Sequence, residues 1–287
     1  MPAQLLEGAP VAARILAEVA SRVARLEERG ISVGLGTILV GEDAPSAGYV
    51  RKKHETARQV GIESHHRELP SSASPDDLIG AVREYNEDDR VDAYLIQYPL
   101  PGGFDYAAAV SAMAPEKDGD GLHPESLGRL VLQEPGPVPA TPAGIREMLI
   151  HYGIPVEGRQ VVIVGRGPTL GRPLALLLSQ KAPGANAAVT VVHTGVSDMA
   201  AHTRRAEVLI AAAGVPGIVT REMVREGAVV VSGGITWTGK RLIPDVAEDV
   251  GEVASWITPR LGGVGPTTVA MLLRNAVTCA ERRRGLA

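Results

Sequence analysis

The chain has 287 residues, 45% of them hydrophobic, with 29 Lys and Arg against 33 Asp and Glu and a formal net charge of −4. That length and apolar content suit two modest domains with a large core, and the charge, without a long basic run, gives no electrostatic reason to expect nucleic acid. The one cysteine, Cys279, excludes an internal disulfide and fits a reducing cytoplasm.

Residues 1–22 mix Glu7, Arg14, Glu18 and Arg22 with apolar residues at helical spacing, which reads neither as a signal peptide nor as a membrane span. Helical periodicity covers 11–28, a buried-strand pattern 33–40, a helix 46–60, a helix 75–85 and a strand 93–97. Between Pro99 and Pro142 the composition shifts to Pro, Gly, Asp and Glu, which predicts a loop-rich connection. A helix over 141–152 then carries Pro142 at its first position. A second series follows, with strands 160–165, 188–193, 208–213 and 228–231 and a helix 171–180. Gly262-Gly263-Val264-Gly265-Pro266 interrupts the pattern before a terminal helix over 267–282, whose Glu281-Arg282-Arg283-Arg284 reads as a solvated last turn. Alternating strands and helices predict an α/β fold with largely parallel sheets in two domains. No Cys or His spacing suggests a metal site.

Strand 161–164 runs into Gly165-Arg166-Gly167-Pro168-Thr169-Leu170-Gly171, and a helix starts near Arg172-Pro173. Glycine lets a backbone approach a pyrophosphate closely, and a helix N-terminus supplies free N–H groups and a positive dipole end. An ordinary strand-to-helix turn is the competing explanation. The next strand ends at Val191-Val192-His193-Thr194, without the acid that an NAD enzyme places against the adenosine ribose. Arg166 as cation and Thr194 as hydroxyl donor suit a 2′-phosphate, which favours NADP over NAD. The plainer alternative makes Arg166 a surface cation and Thr194 a helix cap, and His193 is more often structural than chemical.

Tyr49 and Lys53 stand four apart on one predicted helix, so their side chains leave the same face a turn apart. A lysine partly desolvated beside a tyrosine has a lowered pKa and exchanges protons at neutral pH, although a solvated lysine next to a packing tyrosine gives the same spacing. Gln97 follows the strand at 93–96, at a carboxyl strand end, where open α/β sheets place ligands. Lys117-Asp118-Gly119-Asp120-Gly121 offers two carboxylates for calcium, for a helix cap or plain turn, or for a ligand's amino group, but lacks the calcium-loop pattern.

Taken together, these residues resemble the bifunctional methylenetetrahydrofolate dehydrogenase/cyclohydrolase family across nearly the whole chain. The motifs stand in family order: Val40-Gly41 to Ser46, Tyr49 to Lys53, Gln97 to Pro101, Lys117 to Gly121, Thr141-Pro142, Gly165 to Gly171, and Gly262 to Thr268. The resemblance implies a folate-side catalytic domain over 1–140 completed by the C-terminal helix at 262–287, a Rossmann NADP-binding domain over 141–261, a cleft between the two, and a homodimer. It implies oxidation of methylenetetrahydrofolate with NADP and hydrolysis of the product, in one-carbon metabolism and purine biosynthesis. By position, Lys53 matches the catalytic lysine, Tyr49 a folate-contacting tyrosine, Gln97 the glutamine that orients the lysine and Asp120 the pterin-binding aspartate. Gly263 and Pro266 fall on the substrate side, and Gly165, Arg166, Gly167, Thr169, Gly171, His193, Thr194, Gly234 and Ile235 on the cofactor side.

Several positions depart from the family pattern. Asp118-Gly119-Asp120-Gly121 replaces Asp-Val-Asp-Gly, Ser232-Gly233-Gly234-Ile235-Thr236 replaces Asp-Val-Gly-Ile-Asn with one carboxylate lost, and Pro259-Arg260-Leu261-Gly262-Gly263 replaces Pro-Val-Pro-Gly-Gly. Ala140, Gly167, Tyr98, Thr267 and Val196 stand where Cys, Ser, Leu, Met and Thr are common. Retention of Lys53, Tyr49, Gln97 and Asp120 favours drift within a working enzyme. The alternatives are a paralogue keeping one activity or taking a modified folate, and a non-catalytic NADP-binding module.

Overall fold

The computed structural model describes residues 2–238 and 241–286, apart from the side chains of Ile235, Trp237, Thr238 and Arg241. From the N-terminus the elements are β1 (Gln4–Leu5), α1 (Gly8–Glu27), β2 (Gly34–Val40), α2 (Ala44–Gln59), β3 (Glu63–Leu69), α3 (Pro75–Glu87), β4 (Ala93–Ile96), α4 (Tyr106–Ser111), α5 (Pro124–Leu132) and α6 (Ala140–His151). They continue as β5 (Gln160–Val164), α7 (Gly171–Ser179), β6 (Ala188–Val192), α8 (Met199–Thr203), β7 (Val208–Ala211), β8 (Val229–Ser232), β9 (Ile235–Thr238), β10 (Arg241–Pro244), β11 (Trp256–Ile257) and α9 (Val264–Arg283). The chain forms two compact units, one from 14–140 with 269–287 and the other from 1–13 with 141–268.

In the 14–140 unit a parallel sheet has the order β3-β2-β4. The central strand β2 is buried along all seven residues, as a parallel strand covered on both faces must be, which is why its sequence is a continuous apolar and small-residue run. Ile38, Val40, Leu78, Val82, Tyr94 and Ile96 close the core on one face. Periodicity gives no sign of β3, because Glu63-Ser64-His65-His66-Arg67-Glu68 is polar on both faces and, among the described residues, pairs only with β2. Charged residues are how an edge strand avoids further pairing.

The stretch expected to be loop-rich, 99–142, holds two short helices, α4 and α5, whose first turns are capped by Asp105 and His123. Six and nine residues are too few to establish a period among the prolines and glycines. α6 begins at Ala140, so Pro142 stands third rather than first. The cluster at 281–284 is a second correction, because three of its four charges, Glu281, Arg283 and Arg284, are partnered. Glu281 pairs with Arg22 at 2.6 Å, and Arg283 and Arg284 both reach the buried Asp92, at 2.9 and 2.6 Å, tying α9 to the start of β4. Asp92 also accepts the Gly34 N–H at 3.0 Å, so the carboxylate is compensated from three sides.

In the other unit six parallel strands follow the order β1-β11-β8-β7-β5-β6. The chain steps from β5 outward to β6 and then back across to β7, which makes the carboxyl end of β5 the topological switch point where such sheets bind ligands. Val162, Val164, Leu209, Val230 and Val250 are among the residues that fill the core. The antiparallel pair β9–β10 lies outside this sheet, and β1 and β11 have two residues each, below what alternation reveals. Among the described residues no helix is long and apolar enough to cross a membrane.

Candidate active site

In the 14–140 unit α2 starts two residues before its expected position, with Asp43 as N-cap accepting the Ser46 N–H at 2.9 Å and a proline in the first turn. Tyr49 and Lys53 share one face, and the Lys53 ammonium lies 5.0 Å from the centroid of the Tyr49 ring, within cation–π range. Lys53 is 4% exposed and donates from Nζ to Gln97 Oε1 at 3.1 Å. Gln97 is itself buried where β4 ends. Its backbone N–H is held by the Ile38 carbonyl at 2.8 Å, and its Nε2 donates to the Tyr98 carbonyl at 2.8 Å. An ammonium can only donate, so the amide must present oxygen to Lys53 and nitrogen to Tyr98.

Burial pushes the Lys53 pKa below the ordinary lysine value, and the negative charge of Asp120 resists that shift. Asp120 moves the other way. Burial raises its carboxyl pKa, Lys53 opposes the change and Asp118 adds to it. Opposite displacements in neighbouring groups are a mark of proton-handling sites.

The two carboxylates of 117–121 differ in function. Asp118 is buried and accepts the N–H groups of Gly121 at 2.9 Å and His123 at 2.8 Å, so it fastens the turn. Lys117 is also structural, donating to the carbonyls of Tyr85 and Asp88 at 2.8 Å each. A Cβ on Gly119 would lie 3.1 Å from the Tyr94 carbonyl oxygen, so glycine here lets the loop lie close against β4. Tyr106 escaped the sequence reading because 99–142 reads as a loop. Its hydroxyl is held protonated by burial and by the charges of Asp120 and Asp118, and its ring meets Tyr98 edge-on at 5.1 Å.

In the 141–268 unit the loop after β5 depends on glycine at two places. Gly165 has φ +124°, and a Cβ there would be 2.2 Å from the Ala212 carbonyl oxygen; a Cβ on Gly171 would be 2.3 Å from the Gly165 oxygen. At Gly167 a Cβ would meet nothing within 4 Å. Leu170, at the N-cap of α7, makes no side-chain cap hydrogen bond, which suits an incoming phosphate. Arg166 is exposed and Thr169 partly so. At the end of β6 Thr194 is exposed, while His193 accepts the Gly195 N–H on Nδ1 at 3.1 Å and closes a turn. A dinucleotide with a 2′-phosphate fits this donor set, because open backbone, a cation and a hydroxyl are present and no acid lies at the strand end.

Gly234 is required for another reason. A Cβ there would come 2.0 Å from Asp245 Oδ2. That buried carboxylate accepts the N–H groups of Ala213 at 2.7 Å and Gly214 at 2.9 Å, which props the loop after β7. Asp245 had no motif to mark it in the sequence. Ser232, in the place of the lost aspartate, donates to the Gly234 carbonyl at 3.3 Å. Ile235 opens β9, and its side chain lies outside the described residues. Gly263 packs tightly, with a Cβ falling 3.0 Å from the Pro259 carbonyl oxygen, and Pro266 stands in the first turn of α9. Arg260 and Leu261 are exposed. The structure thus brings Tyr49, Lys53, Gln97 and Asp120 together in one unit and holds the dinucleotide loop, Gly263 and Pro266 in the other.

Residues 6–120 match the family model described as the tetrahydrofolate dehydrogenase/cyclohydrolase catalytic domain, and residues 139–284 match that family's NAD(P)-binding domain. The chain belongs to the tetrahydrofolate dehydrogenase/cyclohydrolase family. Within the family, the bifunctional protein FolD of Syntrophotalea carbinolica is 67% identical over 283 residues, 99% of this chain and 98% of that protein. Bifunctional protein FolD 1 of Salinispora tropica is 55% identical over 98% of this chain and 92% of its own length. Among solved structures, the Trypanosoma brucei methylenetetrahydrofolate dehydrogenase-cyclohydrolase, complexed with NADP cofactor and inhibitor, superposes with a TM-score of 0.92 at 37% identity, covering 99% of each chain.

Proposed function

We propose that the protein oxidises methylenetetrahydrofolate with NADP and hydrolyses the resulting methenyl compound to formyltetrahydrofolate. The observation that carries this reading is the buried Lys53 amine, held by the Gln97 oxygen above the Tyr49 ring and in the field of Asp120. A non-catalytic dinucleotide-binding module has no need to bury an amine in this way, since removing a cation from water without a full counter-charge is costly.

Oxidation asks little acid–base work of the protein. As hydride leaves the bridging methylene carbon, the lone pairs of the two flanking folate nitrogens stabilise the cation that forms, so placement supplies most of the acceleration. Asp120 anchors the pterin through charge-assisted hydrogen bonds, and Tyr49 offers its ring and hydroxyl to the folate. NADP supplies the hydride acceptor when bound. The backbone from Gly165 to Gly171 holds its pyrophosphate, and Arg166 and Thr194 hold the 2′-phosphate.

Hydrolysis needs a proton manager. Water adds to the electrophilic methenyl carbon and loses a proton, giving a carbinolamine. As that adduct opens, its hydroxyl proton passes, in net, to the departing nitrogen, leaving a formyl group on the other. Lys53, its pKa lowered by burial and its amine oriented by Gln97, is placed to take a proton from oxygen and return one to nitrogen.

We also infer a cytoplasmic homodimer. The free thiol of Cys279 suits a reducing compartment, and the second copy follows from the family resemblance over nearly the whole chain. Mixing purified protein with methylenetetrahydrofolate and NADP and following NADPH absorbance tests the dehydrogenase. Decay of the methenyl chromophore tests the hydrolase. Steady NADPH formation and accelerated decay are expected, and flat traces at high enzyme concentration reject the reading.

A further inference from the structure

Asn275 is 4% exposed in α9 and directs its amide to two chain segments. Nδ2 donates to the Gly119 carbonyl at 2.9 Å and to the Val138 carbonyl at 2.8 Å, and Oδ1 accepts the Val138 N–H at 3.4 Å. Gly119 immediately precedes Asp120. The segment 138–140 comes back to the same loop, because the Ala140 N–H donates to the Asp120 carbonyl at 3.1 Å. The contact is close, since a Cβ on Gly121 would lie 2.4 Å from the Val138 carbonyl carbon.

One side chain therefore holds the peptide unit before Asp120 directly and the one after it through 138–140. Asp118 secures a different part of the loop, the N–H groups of Gly121 and His123. No apolar residue reproduces this, because two carbonyls need donors and one N–H needs an acceptor on a single planar group. The titratable groups that face Asp120 are Lys53 from α2, Asp118 from its own loop and Tyr106 from α4.

We propose that Asn275 is a positioning residue for the reaction: by fixing the backbone on both sides of Asp120, it sets where that carboxylate stands beside the Lys53 amine. The assignment rests on the function proposed above, and Asn275 itself touches no reacting atom.

The test reads the amine directly, so it does not depend on turnover. The chain contains five lysines, and carbon NMR of isotope-labelled lysine ε-methylenes, with Lys53 assigned by its loss in Lys53→Met, gives the Lys53 titration midpoint. The attraction of Asp120 favours the charged amine. Asn275→Leu is therefore expected to lower the midpoint by at least about half a pH unit and to move the pH–rate profile of methenyl hydrolysis the same way. Asp120→Asn is expected to lower it too, and adding Asn275→Leu to Asp120→Asn is expected to change nothing further. A Lys53 midpoint in Asn275→Leu equal to that of the unmodified protein overturns the proposal. So does an undiminished shift in the Asp120→Asn background. Asn275→Ser replaces the leucine variant if that does not fold, and failure of both to fold makes the residue purely structural and also overturns it. An unmodified protein that hydrolyses nothing rejects the functional reading, a result distinct from an unmoved titration.

Discussion

Lys53 Nζ donates to Gln97 Oε1 across 3.1 Å, and Gln97 is kept from turning by its own donation to the Tyr98 carbonyl at 2.8 Å. A neutral amide accepts from the amine without fixing its charge. Gln97→Glu puts a carboxylate in the same place, which favours the ammonium and carries the lysine pKa upward. Hydrolysis at neutral pH is expected to fall, by up to roughly tenfold for each unit of that rise, with the rate profile displaced to higher pH. Stopped-flow decay of methenyltetrahydrofolate across pH reads this, and an unmoved profile removes the glutamine from the lysine's control.

The proposed preference for NADP turns on Arg166, exposed in the loop after β5. Arg166→Ala removes one charged hydrogen-bonded contact to a 2′-phosphate, about 1.5–3 kcal/mol, or roughly ten- to a hundredfold in affinity. NAD lacks that phosphate and is expected to lose little. Titration of both dinucleotides decides the matter, since equal losses place the arginine elsewhere.

Two glycines of the same loop are expected to behave oppositely. At Gly165 φ is +124° and a Cβ would strike the Ala212 carbonyl oxygen, so Gly165→Ala is expected to cost on the order of 3 kcal/mol in stability. At Gly167 a Cβ meets open space, and Gly167→Ser is expected to leave the melting temperature and NADP affinity nearly unchanged. Thermal melts of the two variants side by side test this, and a stable Gly165→Ala protein contradicts the packing.

His54, next to Lys53 on α2, bonds through Nε2 to the buried Thr37 hydroxyl at 2.8 Å, and the same hydroxyl meets His66 Nδ1 at 2.7 Å. Burial first, then the charges of His66, Arg58, Lys53 and His65, push the His54 pKa from 6.5 down to about 4. The unfolded chain therefore binds more protons between those two values, and stability contributed by neutral His54 is full above 6.5 and lost as pH falls toward 4. The loss is at most about 3 kcal/mol. His54→Gln is expected to flatten the fall in melting temperature over that interval, and an unchanged slope assigns the acid sensitivity to other groups.

The sequence made the repetitive and the local legible. β2 and β5 stand out as apolar runs, and the partnership of Tyr49 with Lys53 follows from helical spacing alone. The strand-to-helix glycine loop is equally local. What escaped depends on contacts far apart in the chain. Asn275 meets Gly119 across 156 positions and Arg284 meets Asp92 across 192, and no periodicity registers such pairs. β3 escaped for another reason. Its residues are polar because it lies at an edge, so the burial that normally reveals a strand is missing from its pattern.

The decay rate of methenyltetrahydrofolate with Lys53→Met, measured beside the unmodified protein at equal concentration, tests the central claim most directly. Methionine keeps the length and removes the nitrogen, so the account predicts decay at the buffer rate while NADP still binds and the unmodified protein accelerates the reaction. Equal acceleration by both proteins would contradict a role for the amine in hydrolysis.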